Sequence, residues 1–159
     1  MINVLFVCLG NICRSPLAEA VFNRLIQQEG LDDAIASDSA GTSDYHLGEP
    51  PDRRTLDVIQ KKGLDIEHLG RQFIREDFQD FDYIIAMDES NLANIRKLED
   101  AQQEGSYRLF LMREFEDDAD DLNVPDPYWG GDSGFLEVHD IVLQSGKNLL
   151  DYIKKEHQL

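Results

Sequence analysis

Cysteine, positive charge and long apolar runs are all scarce in this sequence, and each scarcity excludes something. Only two cysteines occur in 159 residues. Cys8 and Cys13 stand too close together to staple the chain as the disulfide framework of a small secreted protein does, so both belong to one local feature. Lys and Arg number 15 against 32 Asp and Glu, for a formal net charge of −17. That is the wrong sign for a general binder of nucleic-acid backbone or of an anionic membrane, so neither is an expected partner. No apolar run approaches the roughly 20 residues of a membrane span. The opening Met-Ile-Asn-Val-Leu-Phe-Val-Cys has neither a basic segment nor a small-residue cleavage site, so no secretory leader is expected and the cytoplasm is the expected compartment. Repeats and Gly/Ser linkers are absent too, which leaves no obvious boundary, and a single domain over residues 1–159 is expected. What is present suits that reading, since 42% hydrophobic and 9% aromatic residues suffice for a packed core.

Asn3–Cys8 is almost wholly apolar and rich in Val, Leu and Phe, the pattern of a strand buried on both faces. Ser15-Pro16 reads as a helix N-cap followed by proline at the first helical position, and Ala18, Val21, Phe22, Leu25 and Ile26 then recur at helical spacing until Gly30. A second short strand is expected at Ile35–Ser39, a helix at Pro51–Lys62 closed by Gly63, and a third buried strand at Phe81–Met87. Asn91–Leu98 reads as helical, Tyr107–Met112 as a fourth strand, and Gly134–His157 as a long amphipathic helix. This alternation predicts an α/β fold of three layers, a four-stranded parallel sheet with helices on both faces in the flavodoxin- or Rossmann-like manner. Ligands are then expected beyond the strand C-termini, the edge at which Cys8 ends the first strand.

Between that strand and its helix stands Cys8-Leu9-Gly10-Asn11-Ile12-Cys13-Arg14-Ser15-Pro16. A loop that curls from a strand end into a helix N-terminus turns successive backbone N–H groups toward a common centre, and the helix's partial positive charge adds to the field. It forms a cradle for an anion. The Gly-Lys-Ser/Thr of a nucleotide-binding loop and the three spaced glycines of a dinucleotide fold are both missing, which disfavours nucleotides. Here a cysteine opens the cradle and an arginine closes it. A bound phosphate would meet a sulfur at its base and a planar guanidinium at its oxygens, with Leu9, Gly10, Asn11, Ile12 and Cys13 wrapped around it. N–H donors, Arg14 and a helix N-terminus favour a thiolate at Cys8, and Ser15 can add its hydroxyl. Gly10 and Asn11 are the residue types that most readily visit positive φ. Taken singly, Cys8 reads first as a core cysteine and Arg14 as a surface charge. Their joint spacing favours thiolate attack on phosphorus.

This loop resembles the signature of the low-molecular-weight protein tyrosine phosphatases, and the resemblance extends over essentially the whole chain. Asp38-Ser39-Ala40-Gly41-Thr42-Ser43, Gly48 with Pro50-Pro51-Asp52, Arg71-Gln72, Met87-Asp88-Glu89-Ser90-Asn91-Leu92 and Asp126-Pro127-Tyr128 are similar to family blocks and follow the family order. The resemblance implies a phosphotyrosine phosphatase with Cys8 as nucleophile, Arg14 as phosphate clamp, Ser15 as hydrogen-bond donor to the thiolate and Asp126 as general acid. It also implies a polar network of Asn11, Ser39 and His68 that holds the loop, and a pocket wall that includes Tyr45. Trp129 departs from the pattern, since many relatives carry a second tyrosine there, so regulation by phosphorylation at that position is not expected.

The chain supports the acid assignment by itself. Expelling a phenolate at neutral pH benefits from a proton donor, commonly by ~10²–10⁴ in rate, and Val124-Pro125-Asp126-Pro127 holds one carboxylate between two stiffening prolines. Asp-Pro is also an ordinary turn dipeptide, and the presence of Cys8 and Arg14 favours the catalytic reading. Tyr128 and Trp129 follow directly and would flank a phenyl ring. The expected substrate is a phosphotyrosine-bearing protein, a tyrosine kinase among the candidates, and the expected oligomeric state is monomer or weak homodimer.

Cys13 reads either as a small buried hydrophobe or as a partner that captures oxidised Cys8 in a disulfide. No metal or other cofactor is expected: the cysteine pair has no matching Cys/His pair, the four histidines are scattered, and acidic Glu114–Asp121 lacks the ligand spacing of a calcium loop. His139 reads as a helix-packing residue and His157 as a tail residue. Two rival activities remain. Arsenate reductases of related fold use a similar loop but relay electrons through further cysteines, and this chain has none after Cys13. Phosphoarginine phosphatases tend to carry Thr at the loop position held here by Ile12, so Ile12 favours phosphotyrosine. A non-catalytic phosphate- or flavin-binding module would leave the Cys8, Arg14 and Asp126 set unexplained.

Overall fold

The computed structural model describes residues 1–99 and 105–159. Four parallel strands, β1 (Ile2–Cys8), β2 (Ile35–Gly41), β3 (Tyr83–Ala86) and β4 (Arg108–Leu111), form one sheet in the order β2-β1-β3-β4. The helices are α1 (Arg14–Gln28), α2 (Arg53–Lys61), the single turn α3 (Asp77–Asp80), α4 (Glu89–Arg96) and α5 (Asp132–His157). A short 3₁₀ turn, Met112–Phe115, follows β4.

The near-continuous apolar run of β1 is explained by its central place. Val4, Phe6 and Cys8 join one core with α1, α2 and α5, where Phe6 meets Phe22 of α1 edge to face at 5.4 Å. Leu5 and Val7 point to the opposite face and join Phe73, Phe78 and Ile95 under α3 and α4. The three-layer α/β architecture expected from the sequence is present. From β1 the chain steps to β2 on one side and then returns to place β3 on the other. The switch in direction opens a crevice beyond the C-termini of β1 and β3, where α/β folds bind their ligands.

Several boundaries differ from the sequence reading, each for a physical reason. Helix α1 begins at Arg14 with Cys13 at its N-cap, and no side chain caps it. Ser15 is therefore not the cap; its hydroxyl turns to the Cys8 sulfur instead. Strand β2 runs two residues beyond Ser39, because Ala40 and Gly41 pair with Val7 and Cys8. Helix α2 starts at Arg53 because Asp52 caps it, its carboxylate accepting the Arg54 N–H at 2.8 Å. Helix α4 starts two residues before Asn91, since Asp88 caps it in a reciprocal box with Asn91, and it stops at Arg96. β3 and β4 are shorter at both ends than their apolar runs, the extent of each set by the neighbouring strand. Helix α3 has too little apolar periodicity to be foreseen, and α5 starts at Asp132. His139 packs as expected, whereas His157 is more than a tail residue, since its Nε2 lies 2.9 Å from the Tyr83 hydroxyl.

Candidate active site

The loop after β1 is shaped by where its carbonyls go. The Cys8 carbonyl accepts from Thr42 N–H, Leu9 from Ser43 N–H, Ile12 from Asp52 N–H and Cys13 from Leu17 N–H, at 2.7–3.3 Å. In a trans peptide the C=O and the following N–H point opposite ways. The amides of Leu9, Gly10, Cys13 and Arg14 therefore face the centre that the loop encloses, an anion cradle completed by the N-terminus of α1. Asn11 sits in the left-handed region at φ 57°, which Asn tolerates. Gly10, expected there too, does not; its missing side chain matters because a Cβ would lie 3.1 Å from His46 Cδ2.

Two donors converge on the Cys8 sulfur. The Asn11 N–H lies 3.3 Å away and the Ser15 Oγ 3.0 Å away. Asn11 Nδ2 donates to Ser15 Oγ at 2.9 Å, so the Ser15 hydrogen goes elsewhere, to the sulfur at 3.0 Å in preference to the Ala40 carbonyl at 3.4 Å. The same Nδ2 donates to Ser39 Oγ at 3.0 Å, and Ser39 donates to Glu19 Oε1 at 2.7 Å. Asn11 Oδ1 accepts from the Arg71 N–H at 3.0 Å and from His68 Nε2 at 2.7 Å. Asn11 is thus held on every polar atom of its side chain and at its N–H, which fixes the left-handed residue that shapes the loop. Ser39 and His68 do stand in this network, joined by Glu19, whose carboxyl burial pushes up to about 7 against the Ser39 hydrogen bond. Burial likewise holds His68 below its ordinary value, opposed by Asp38.

Arg14, only 3% exposed, closes the other side. Its Nη1 donates to Asp88 Oδ2 at 2.7 Å and to the Val124 carbonyl at 3.0 Å, and its Nη2 lies 3.5 Å from Asp126 Oδ2. Burial works against the Arg14 charge, but Cys8, Asp88 and Asp126 outweigh it and hold the guanidinium above its ordinary value. Asp88 ends the β3 crossover and Asp126 belongs to the loop before α5, so β1 and β3 together aim the arginine. Asp126 Oδ1 accepts the Tyr128 N–H at 3.1 Å, which fixes the carboxyl's orientation.

These groups open onto a cavity of about 230 Å³ lined by Cys8, Leu9, Gly10, Ile12, Cys13, Arg14, Tyr45, Asp126, Tyr128 and Trp129, together with His46. Every candidate from the sequence lines it or stands directly behind it. The aromatics do not contribute alike. Tyr128 is half-buried and forms a wall, whereas Tyr45 and Trp129, 70% and 88% exposed, stand at the mouth rather than enclosing a ring. Cys13 is buried, and burial first, then Asp52, Cys8 and Asp126, push its thiol up to about 12. It faces the cavity in the protonated form. Arg54 holds the aromatic loop from outside, donating to the Tyr128 and Gly130 carbonyls while paired with Asp52.

The sequence reading missed Asp88, Glu19, His46 and Gly41. Asp88 stands in one of the blocks that resemble the family, but nothing local marks it as the partner of Arg14. Gly41 gives no local signal, since only the β1–β2 register sets it beside Cys8.

The arrangement suits nucleophilic displacement at a tetrahedral anion: a sulfur at the base, inward amides and a fixed guanidinium for the oxygens, and a carboxyl opposite. Residues 3–159 match the family model described as low molecular weight phosphotyrosine protein phosphatase. The chain is 44% identical over 149 residues to the low molecular weight phosphotyrosine protein phosphatase of Rattus norvegicus, covering 94% of each. The crystal structure of YfkJ from Bacillus subtilis is similar, with a TM-score of 0.90 and 41% identity over 98% of this chain and 96% of that one. So is that of a Drosophila arginine phosphatase, with a TM-score of 0.90 and 35% identity over 95% of this chain and 97% of that one. The match runs over nearly the whole chain, the cradle after β1 included, and the chain belongs to the low molecular weight phosphotyrosine protein phosphatases.

Proposed function

We propose that this protein hydrolyses phosphotyrosine in proteins through a phosphocysteine on Cys8. In the first step the Cys8 thiolate attacks phosphorus in line with the departing phenolic oxygen, to which Asp126 gives its proton. In the second, ionised Asp126 takes a proton from water, the water oxygen bonds to phosphorus, and the S–P bond breaks to return the thiolate and release inorganic phosphate. Arg14 and the inward amides hold the equatorial oxygens in both transition states. No step calls on a metal. The observation that carries this reading is the convergence on the Cys8 sulfur of the Asn11 N–H and the Ser15 hydroxyl, with the buried Arg14 guanidinium and Asp126 paired at 3.5 Å across the same cavity.

Phosphotyrosine is favoured over phosphoserine by depth: the nucleophile lies at the base of the cradle behind the Tyr45 and Trp129 mouth, beyond the reach of a shorter side chain whose backbone stays at the rim. Phosphoarginine is the second reading, because the Drosophila arginine phosphatase shares the fold. Buried Ile12 in the cavity wall favours the aromatic ester. The natural substrate is a phosphotyrosine-bearing protein such as a tyrosine kinase, met in the cytoplasm by a monomer or weak homodimer. Among the described residues no helix is long and apolar enough to cross a membrane.

Phosphotyrosine, phosphoserine and phosphoarginine peptides offered in EDTA to wild type, Cys8→Ser and Asp126→Asn test the proposal. Expected are turnover of phosphotyrosine alone, its loss in Cys8→Ser and a fall of ~10²-fold or more in Asp126→Asn. Faster turnover of phosphoarginine would establish the second reading. Turnover indifferent to Cys8 would overturn both.

A further inference from the structure

Behind the nucleophile loop lies a second group of metal-ligating atoms that catalysis leaves unused. His68 Nδ1 stands 3.4 Å from Glu19 Oε1 and 3.7 Å from Asp38 Oδ1, and the three ligand atoms all lie within 4.8 Å of one another. Tetrahedral zinc with nitrogen and oxygen ligands at about 2.0–2.1 Å separates its ligand atoms by about 3.4 Å. His68 Nδ1 and Glu19 Oε1 stand at that separation, and Asp38, at the exposed edge, has to close in slightly to complete the set.

Hydrogen bonding fixes which face of His68 looks into the group. Asn11 Oδ1 accepts a backbone N–H from Arg71, so it is an acceptor, and His68 Nε2 at 2.7 Å must carry a hydrogen toward it. In the neutral ring Nδ1 is then a bare lone pair, on a side chain only 6% exposed, aimed at two carboxylate oxygens. Such an arrangement calls for a cation between them, and either a proton or a metal ion can fill that place. The surrounding bonds are those that orient metal ligands elsewhere: the far ring N–H on a carbonyl oxygen, Ser39 donating to Glu19 Oε1 at 2.7 Å, and Arg71 Nε donating to Asp38 Oδ2 at 3.2 Å. The approach is open. Glu19 and Asp38 line a broad surface groove along β2 that also carries Asp32, Asp65 and Glu67, so a cation enters through a field of negative charge. That groove and the phosphate cavity share no lining residue.

We propose that Glu19, Asp38 and His68 Nδ1 form a binding site for a divalent transition metal of the zinc class, with water from the groove as fourth ligand. Zinc entering the site releases to solvent any proton held between His68 and Glu19. It leaves the hydrogen on Nε2, the form in which His68 supports Asn11 and, through Ser15, the Cys8 sulfur. The site is a positioning element and takes no part in phosphoryl transfer.

Zinc chloride titrated into the full-length reduced protein by calorimetry, with Cys8→Ser and Asp38→Asn alongside, tests the site. Asp38 is 40% exposed at the groove, so its amide variant should fold, as circular dichroism checks. Expected are one equivalent bound by wild type and by Cys8→Ser, at least tenfold weaker binding in Asp38→Asn, and a ¹⁵N spectrum of His68 with Nδ1 metal-bound and Nε2 protonated. No saturable binding, binding abolished by Cys8→Ser, or binding undiminished in folded Asp38→Asn would each overturn it.

Discussion

Replacing Gly41 by alanine should damage catalysis through a single methyl group far in sequence from the reacting atoms. Gly41 ends β2 opposite Cys8, and a Cβ there would lie 2.8 Å from the Leu9 carbonyl oxygen and 3.2 Å from both N and Cβ of Asn11. Ordinary contact begins at 3.4 Å, so the shortfall against Leu9 is about 0.6 Å. Two of those three atoms belong to the backbone of the cradle, so no side-chain rotation relieves the contact. The backbone of Gly41 is itself pinned by bonds from its N–H to the Arg71 carbonyl and from Phe73 N–H to its own carbonyl. The loop must therefore give way by roughly half an ångström. Misplacement by about 1 Å costs on the order of 10²-fold in rate, which scales to about tenfold here. Overpacking of this size costs about 1–3 kcal/mol of stability, so the protein should remain folded. The assay is hydrolysis of an aryl phosphate, with inorganic phosphate as competitive inhibitor and urea unfolding as the stability measure. Gly131→Ala, whose Cβ would meet nothing within 4 Å, is the control and should be nearly silent. A folded Gly41→Ala enzyme with kcat and phosphate affinity within twofold of wild type would refute the view that inward amides held by β2 bind the anion.

Ser15→Ala removes one of two donors to the Cys8 sulfur and an acceptor for Asn11; a charge-assisted bond of about 1.5–3 kcal/mol predicts a kcat lower by about ten- to a hundredfold in steady-state assays. Cys13 carries its proton at neutral pH, its thiol lying at about 12, so iodoacetamide at pH 7.5 should label Cys8 and spare Cys13, as peptide mapping will report. If Cys13 nonetheless rescues oxidised Cys8, peroxide-treated wild type should regain activity with a dithiol and Cys13→Ser should not; equal recovery removes that role. Asp52 is held below its ordinary value, chiefly by its bond to the Arg54 side chain. Its stabilising effect is full above the unfolded carboxyl's range and lost as pH falls through the lower folded value. Asp52→Asn keeps a capping side chain but loses the ion pair with Arg54, so it should be less stable than wild type near neutrality and converge on it in acid, measured by urea unfolding against pH.

The chemistry of this site was legible because its core is local. Cys8 and Arg14 lie on one loop, and a strand running into a helix leaves few ways to arrange the residues between them. Asp126 was legible for the stiff Pro-Asp-Pro around it. What escaped notice is set by tertiary register. Asp88 meets Arg14 only because β3 lies beside β1, and Glu19 reaches Ser39 only because the first turns of α1 cross β2. Ser15 carries two readings in the sequence, helix cap and donor to Cys8, and one hydroxyl does not serve both; here it turns to the sulfur, and the helix begins without a side-chain cap. The prominence of Tyr45 and Trp129 was legible in sequence, but their exposure was not, since nothing local distinguishes a wall from a rim.

The central claim is that phosphate passes through the Cys8 sulfur. Mixing the enzyme with a phosphotyrosine peptide, quenching in denaturant within a single turnover and mapping the digest by mass spectrometry tests it most directly. A phosphoryl adduct should appear on the peptide carrying Cys8, build up when Asp126 is replaced by Ala and an activated aryl phosphate is the substrate, and be absent in Cys8→Ser. Turnover with no adduct at Cys8, or with an adduct on another residue, would contradict the account.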